Sequence, residues 1–336
     1  MSLEHLRLFA LNTTAGFGRN VARALDIALA PHEERDFEDG EHKVRPLVSV
    51  RGEDVFVVHS LYGEPQAGVD QKLCRLLFFI GCLKDAGAAR VTAVIPYLCY
   101  ARKDRRTQPR DPVTTRYVAA ALEAVGVDRV VALDVHNPAA FENAFRCPTE
   151  HLEARPLFAR HFAVALSGNE AVVVSPDAGG TKRAEALRRS LAAALGKPVG
   201  NAFVEKHRAL GVVSGEAFAG DVRDKIAIIV DDLVSTGGTL LRAAQACRAQ
   251  GATAVYAAAT HGLFVGNAPE TLGDPALRQI VVTNSVPPFR LGRGPAAEKL
   301  VIVDIAPLVA EAIRRLHEGG SLVELLADPP LVQPHA

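Results

Sequence analysis

The sequence has no excess of either charge. Its 38 Lys and Arg residues balance 38 Asp and Glu, for a formal net charge of zero. A nonspecific nucleic-acid binder carries a basic surplus that displaces counterions. That class is excluded, and only a local concentration of cations remains open. Cysteine is scarce and dispersed: Cys74, Cys82, Cys99, Cys147 and Cys247 are odd in number, with no C-x-x-C pair. This excludes a disulfide framework and a thiolate zinc site and predicts buried, reduced thiols. Long apolar runs are also missing. Residues 76–80 and 226–230 are far too short to span a bilayer, and the opening MSLEHLR has no apolar signal block. The expectation is a cytoplasmic protein with no membrane or nucleic-acid partner.

What is present is an ordinary globular balance, 49% hydrophobic and 23% charged, over 336 residues. That length suits two domains better than one core. Short Val- and Ile-rich runs at 55–58, 91–95, 130–133, 172–174, 226–230 and 254–259 read as buried strands. Stretches with helical spacing lie between or beside them, at 20–29, 70–86, 112–125, 180–195 and 238–250. Asp111 before Pro112 reads as an N-cap followed by a first-turn proline. Such alternation predicts an α/β fold with parallel sheets covered on both faces. Two internal similarities suggest a duplication with a joint near residue 150. Residues 84–94 (KDAGAARVTAV) resemble 248–257 (RAQGATAVYA), and 130–136 (VVALDVH) resemble 229–233 (IVDDL). Residues 306–316 form an amphipathic helical pattern, and 328–336, with three prolines, read as a loose tail.

The chemistry concentrates at predicted strand ends. Residues 228–239 (IIVDDLVSTGGT) run from a strand through two carboxylates into a Ser-Thr-Gly-Gly-Thr turn that opens a helix. Gly237 and Gly238 let backbone N–H groups close on an anion, the helix N-terminus adds positive potential, and Ser235, Thr236 and Thr239 add hydroxyls. Asp231 and Asp232 can accept from vicinal sugar hydroxyls, so the segment reads as a sugar-phosphate cradle. The bland alternative is a helix capped by its own Ser or Thr. Phe37, Asp39, Gly40 and Glu41 offer an aromatic face with acceptors, although such a segment is often a plain turn. Arg102, Lys103, Arg105 and Arg106 follow a strand and can serve a polyphosphate. His136 and Asp177, each just beyond a strand, are candidates for Mg²⁺ contact, with waters and phosphate oxygens completing the shell. Lys206 and Arg208 open a glycine-containing stretch that reads as a flap.

In order, the chain supplies F-E-D-G-E, P-Y-L-C-Y-A-R-K-D-R, D-V-H, S-P-D-A-G-G, K-H-R, D-D-L-V-S-T-G-G-T and T-H-G. This series resembles the ribose-phosphate pyrophosphokinase family from about residue 8 to 326. The resemblance implies two tandem phosphoribosyltransferase-like domains: an ATP side at 1–150, a ribose 5-phosphate side at 151–305, and at 306–336 a helix returning to the first domain plus the tail. By resemblance, Phe37, Asp39, Gly40, Glu41, Arg102 and Lys103 bind ATP, and Lys206 and Arg208 are catalytic. Arg208, Asp231, Asp232 and 235–239 bind ribose 5-phosphate, while His136 and Asp177 serve Mg²⁺. It also implies a homo-oligomer, dimer-based up to a hexamer. A phosphoribosyltransferase shares only the 231–239 segment, and a non-catalytic regulatory homologue should have lost Lys206, His136 or Asp177. Departures from the pattern are Lys103 for Gln, Ser235 for Asp, His207 within K-x-R, and the segment 61–72.

Overall fold

A computed structural model describes residues 3–166, 168–209 and 212–330, with the side chains of 205–217 left out. The described residues divide into two compact units, the first from 3 to 153 with 305–330 and the second within 154–304.

Unit 1 runs β1 (Leu6–Ala10), α1 (Ala15–Leu25), β2 (His32–Asp36), β3 (His42–Pro46), β4 (Asp54–Val58), α2 (Val69–Asp85), β5 (Arg90–Ile95), α3 (Thr114–Ala124), β6 (Arg129–Leu133), α4 (Pro138–Ala144) and β7 (Thr149–Leu152). Its sheet has the order β1-β4-β5-β6-β7, parallel throughout, and β2–β3 form a separate antiparallel pair. Phe56, Val57, Val91, Ala93 and Val130 are fully buried between helices on both faces, which is why these strands read as continuous apolar runs.

Unit 2 continues with α5 (Arg155–Ala165), β8 (Ala171–Ser175), α6 (Thr181–Leu195), β9 (Gly200–Ala209), β10 (Val212–Ala219), β11 (Ile226–Val234), α7 (Gly238–Ala249), β12 (Ala254–Gly262), α8 (Ala268–Leu272), β13 (Gln279–Thr283), α9 (Pro295–Glu298) and β14 (Leu300–Val303). The sheet order is β10-β9-β8-β11-β12-β13-β14. Only β10 is antiparallel to its neighbour. The chain then supplies α10 (Ala306–Glu318) and α11 (Leu322–Ala327) to unit 1. There Asp54 receives Arg90 and His317, and Arg90 donates to the Leu316 carbonyl.

The units share one connectivity. In each, a parallel strand is followed by a helix, an antiparallel strand pair, and then four more parallel strands added in sequence order. The registers align as well. Leu6 faces Asp54, which faces Arg90; Ala171 faces Ile226, which faces Ala254. This equates Arg90 with Ala254, the pairing implied by 84–94 against 248–257. The second sequence similarity fails, because it equates β6 with β11 whereas the topology equates β11 with β4. Counting from the same registers, the unit 1 counterparts of Asp231 and Asp232 are His59 and Ser60.

Three further expectations are corrected. The first helix spans Ala15–Leu25 rather than 20–29, because Asp26 turns left-handed at φ 57° and stops it. Asp111 does not cap α3. Its carboxylate accepts from Thr107 N, Thr107 Oγ1 and Gln108 N, closing the preceding loop, and the helix begins at Thr114. The five thiols are free, but only Cys99 and Cys247 are buried. Residues 331–336 of the expected tail lie outside the described residues. Among the described residues, no helix is long and apolar enough to cross a membrane.

Candidate active site

β11 carries the acidic pair into the turn ahead of α7. The helix has no side-chain cap, and Gly237 at its N-cap sits at φ 80°. Ser and Thr therefore do not cap this helix, and the bland reading of the segment falls. No acceptor is found among the described residues for the N–H groups of Thr236, Gly237 and Gly238. These N–H groups and the helix dipole make a concavity of positive potential, which suits an anion. A Cβ at Gly237 would lie 2.7 Å from Leu272 Cδ2, so α8 holds the turn from behind. Thr236 is exposed, and Ser235 and Thr239 are half-buried.

Asp232 is buried and Asp231 is partly so. Arg183 from α6 places Nη1 3.1 Å from Asp231 Oδ1 and Nη2 3.5 Å from Asp232 Oδ1. Burial, with the Asp232 carboxyl next in weight, pushes Asp231 up to about 7, and Arg183 opposes this. Sequence reasoning missed Arg183. A signal was present: Lys182 and Arg183 occupy the first turn of a helix, where cations oppose the macrodipole unless a partner holds them.

The turn after β8 places Asp177 beside this pair's strand. Its Oδ1 accepts from Gly180 N at 3.1 Å, and Ser175 Oγ donates to the Asp177 carbonyl at 2.6 Å. A Cβ at Gly180 would meet Ser175 Oγ at 2.8 Å, so the turn needs glycine there. Asp177 Oδ2 has no hydrogen-bond partner among the described residues. Lys206 and Arg208 lie on β9, opposite Glu216 and Val213 of β10. The expected flap backbone is thus an antiparallel strand pair, and the two side chains lie outside the described residues.

In unit 1, residues 37–41 form the tip of the β2–β3 pair. Phe37 N donates to the Glu41 carbonyl, and Asp39 Oδ1 accepts from Glu41 N. Gly40 takes φ 90° there. Arg35 lies over the Phe37 ring at 5.1 Å, and Asp39, Gly40 and Glu41 are exposed. Arg102 and Lys103 are exposed in the loop after β5, and neither forms an ion pair among the described residues. That loop is tied to the turn after β6, because Asn137 Nδ2 donates to Asp104 Oδ2 at 2.7 Å. His136, exposed, is next to Asn137, whose Oδ1 caps α4. The structure thereby joins the cationic loop to the His136 turn. No hydrogen bond, ion pair or ring contact among the described residues joins 37–41 to Arg102 or Lys103. His136 belongs to unit 1 and Asp177 to unit 2. Among the described residues, no group of three or more His, Cys, Asp and Glu is placed to hold a metal by itself.

The unit 1 counterpart of the anion turn is closed. His59 is 1% exposed, and its Nδ1 lies 3.1 Å from Thr14 Oγ1. Burial, then the Lys72 ammonium, pushes His59 down to about 3. Lys72, fully buried, lies 2.8 Å from Glu64 Oε1 and 3.5 Å above the Tyr62 ring. An internal ammonium and carboxylate occupy this region.

Comparison with known proteins identifies relatives along nearly the whole chain. Residues 6–126 match the family model described as the N-terminal domain of ribose phosphate pyrophosphokinase, and residues 216–327 match the phosphoribosyl synthetase-associated domain. The chain is 40% identical over 321 residues to the ribose-phosphate pyrophosphokinase of Caldanaerobacter subterraneus subsp. tengcongensis, covering 95% of this chain and 97% of that one. It is 37% identical over 328 residues to the Clostridium perfringens protein of the same name, covering 97% and 98%. The crystal structure of phosphoribosylpyrophosphate synthetase from Mycobacterium smegmatis superposes with a TM-score of 0.83 at 36% identity, covering 94% of this chain and 99% of that one.

Proposed function

We propose, from the premise that this chain belongs to the ribose-phosphate pyrophosphokinase family, a division of its site residues between two substrates. The chain is an enzyme of that type, built from two phosphoribosyltransferase-like domains. It transfers the pyrophosphoryl group of ATP to O1 of ribose 5-phosphate, giving 5-phosphoribosyl 1-pyrophosphate and AMP. The observation that carries the division is the uncapped α7 N-terminus directly behind two carboxylates. N–H groups and hydroxyls of 235–239 hold the 5-phosphate, and Asp231 and Asp232 accept from the sugar hydroxyls. On the other side, Phe37 offers its face to adenine, with Asp39, Gly40 and Glu41 beside it. Arg102 and Lys103 take the ATP phosphates as unpaired cations.

O1 attacks the β-phosphorus in line. The O1–P bond forms as the bond from that phosphorus to the α,β-bridging oxygen breaks, AMP leaves with that oxygen, and the O1 proton is released to water. Such chemistry depends on positioning and charge neutralisation. Lys206 and Arg208 are the cations assigned to the transferring group. Mg²⁺ suits the donors present: Asp177 has a carboxylate oxygen without a partner, and this ion keeps several waters while taking one or two carboxylates plus substrate phosphates. When bound, it would neutralise phosphate charge; Asp177 in unit 2 is one residue assigned to it, and His136 in unit 1 another. A homo-oligomer and cytoplasmic residence complete the proposal. Leu47, Val48 and Phe78 leave apolar surface exposed for subunit contact.

The test is purified protein with ATP, Mg²⁺ and ribose 5-phosphate. AMP should form in step with sugar consumed; ADP as the product overturns the reading. For the division, Phe37→Ala should raise the KM for ATP alone. Asp231→Asn and Thr239→Val should raise that for ribose 5-phosphate, each by about 1.5–3 kcal/mol, or ten- to a hundredfold.

A further inference from the structure

Among the described residues, Arg183 is a cation that the structure places on the acidic pair, and none of the motifs above includes it. It reaches from the first turn of α6 to both carboxylates of β11. Asp231 Oδ1 takes Arg183 Nη1 at 3.1 Å and the main-chain N–H of Asp232 at 2.9 Å. Both contacts fall on Oδ1, and Oδ2 lies outside them. We propose, resting on the reading above, that Arg183 is a positioning residue for ribose 5-phosphate: by engaging Asp231 Oδ1 and reaching Asp232, it fixes the pair as acceptors for the sugar's vicinal hydroxyls.

The physical need is specific. Adjacent, largely buried carboxylates repel, and one of them tends to keep its proton. A protonated Asp231 presents a donor where the sugar hydroxyl needs an acceptor. Burial and Asp232 push Asp231 upward, and Arg183 is the cation that opposes them. Among the described residues, the neighbouring elements present the following groups. On β12, His261 is buried and bonded to Ser285. Ser175 ends β8 with its hydroxyl on the Asp177 turn. The side chains of Lys206 and Arg208 on β9 are outside the described residues. A guanidinium fork spans two carboxylates, whereas an ammonium is a single point.

The experiment measures turnover and calorimetric binding of ribose 5-phosphate for the full chain, Arg183→Gln and Arg183→Lys, between pH 6.5 and 9. Wild-type AMP formation that requires ribose 5-phosphate tests the functional reading by itself; the variants bear only on Arg183. For Arg183→Gln the KM for ribose 5-phosphate should rise at least tenfold at pH 7 and fall back as Asp231 deprotonates at higher pH, with the KM for ATP unchanged. An elevation equal at every pH, or a wild-type KM, overturns the proposal. Should Arg183→Gln not fold, Arg183→Lys decides. A rise of threefold or more for the sugar phosphate alone supports the fork, and wild-type values refute it.

Discussion

Gly237 and Gly238 stand side by side in the anion turn, yet the structure gives them different duties. Gly237 has φ 80°, and a Cβ there would lie 2.7 and 2.9 Å from two atoms of Leu272, a fully buried side chain. Gly238 has an ordinary backbone, and its Cβ would meet Arg242 Nη1 at 3.6 Å and Thr236 Oγ1 at 3.8 Å, plain contact distances. For Gly237→Ala, left-handed backbone costs about 1–2 kcal/mol and overpacking about 1–3 kcal/mol. The sum of about 2–5 kcal/mol corresponds to a fall in Tm of roughly 5–15 °C for a domain of this size. Gly238→Ala should stay within about 1 kcal/mol, because alanine is a better helix residue and nothing is displaced. Both variants should raise the KM for ribose 5-phosphate, one by moving the turn and the other by adding a methyl at its rim. Thermal unfolding and steady-state kinetics on the same preparations separate the cases. A Gly237→Ala protein with wild-type Tm and KM would refute the argument, as would a greater loss of Tm in Gly238→Ala.

Other consequences can be measured directly. Lys206→Ala should lower kcat by several powers of ten with little change in ribose 5-phosphate affinity, since a cation on transition-state charge acts on kcat; retention of more than about a tenth of kcat, roughly 1.4 kcal/mol, removes that role. His59, held neutral down to about pH 3 by burial and Lys72, gains its proton only on unfolding between about pH 6.5 and 3. Wild-type stability should therefore be full above that window and fall by up to about 1.4 kcal/mol per pH unit on acidification through it. His59→Gln should show a shallower acid slope in denaturant titrations, and an identical slope counts against the burial argument. Lys72→Met leaves Glu64 without its ammonium and should cost about 3–5 kcal/mol, with much of the loss recovered in Lys72→Met/Glu64→Leu; equal losses in the single and double variants would contradict the closed-turn description.

The sequence by itself determined the alternating α/β pattern and marked the strand-end segments to which the site is assigned here. Those features are local. A buried parallel strand needs an apolar run, a left-handed turn needs glycine, and an anion at a helix start needs free N–H groups, all within a dozen residues. Tertiary structure decided what depends on register and distant packing. Arg183 lies 48 residues before Asp231 along the chain. It meets the pair because α6 follows β8, and β8 lies beside β11 in the sheet. Asp111 looked like a helix cap, but a competing turn captured its carboxylate. The second internal similarity misled for the same reason: an apolar strand ending in an acid recurs anywhere, and strand order shows that His59, not Asp134, is the counterpart of Asp231. Nothing local marks Lys72 as buried, yet packing sets it against Glu64 and Tyr62. Sheet order brings strand ends together whatever their separation in the chain, and no local pattern encodes which ends will meet.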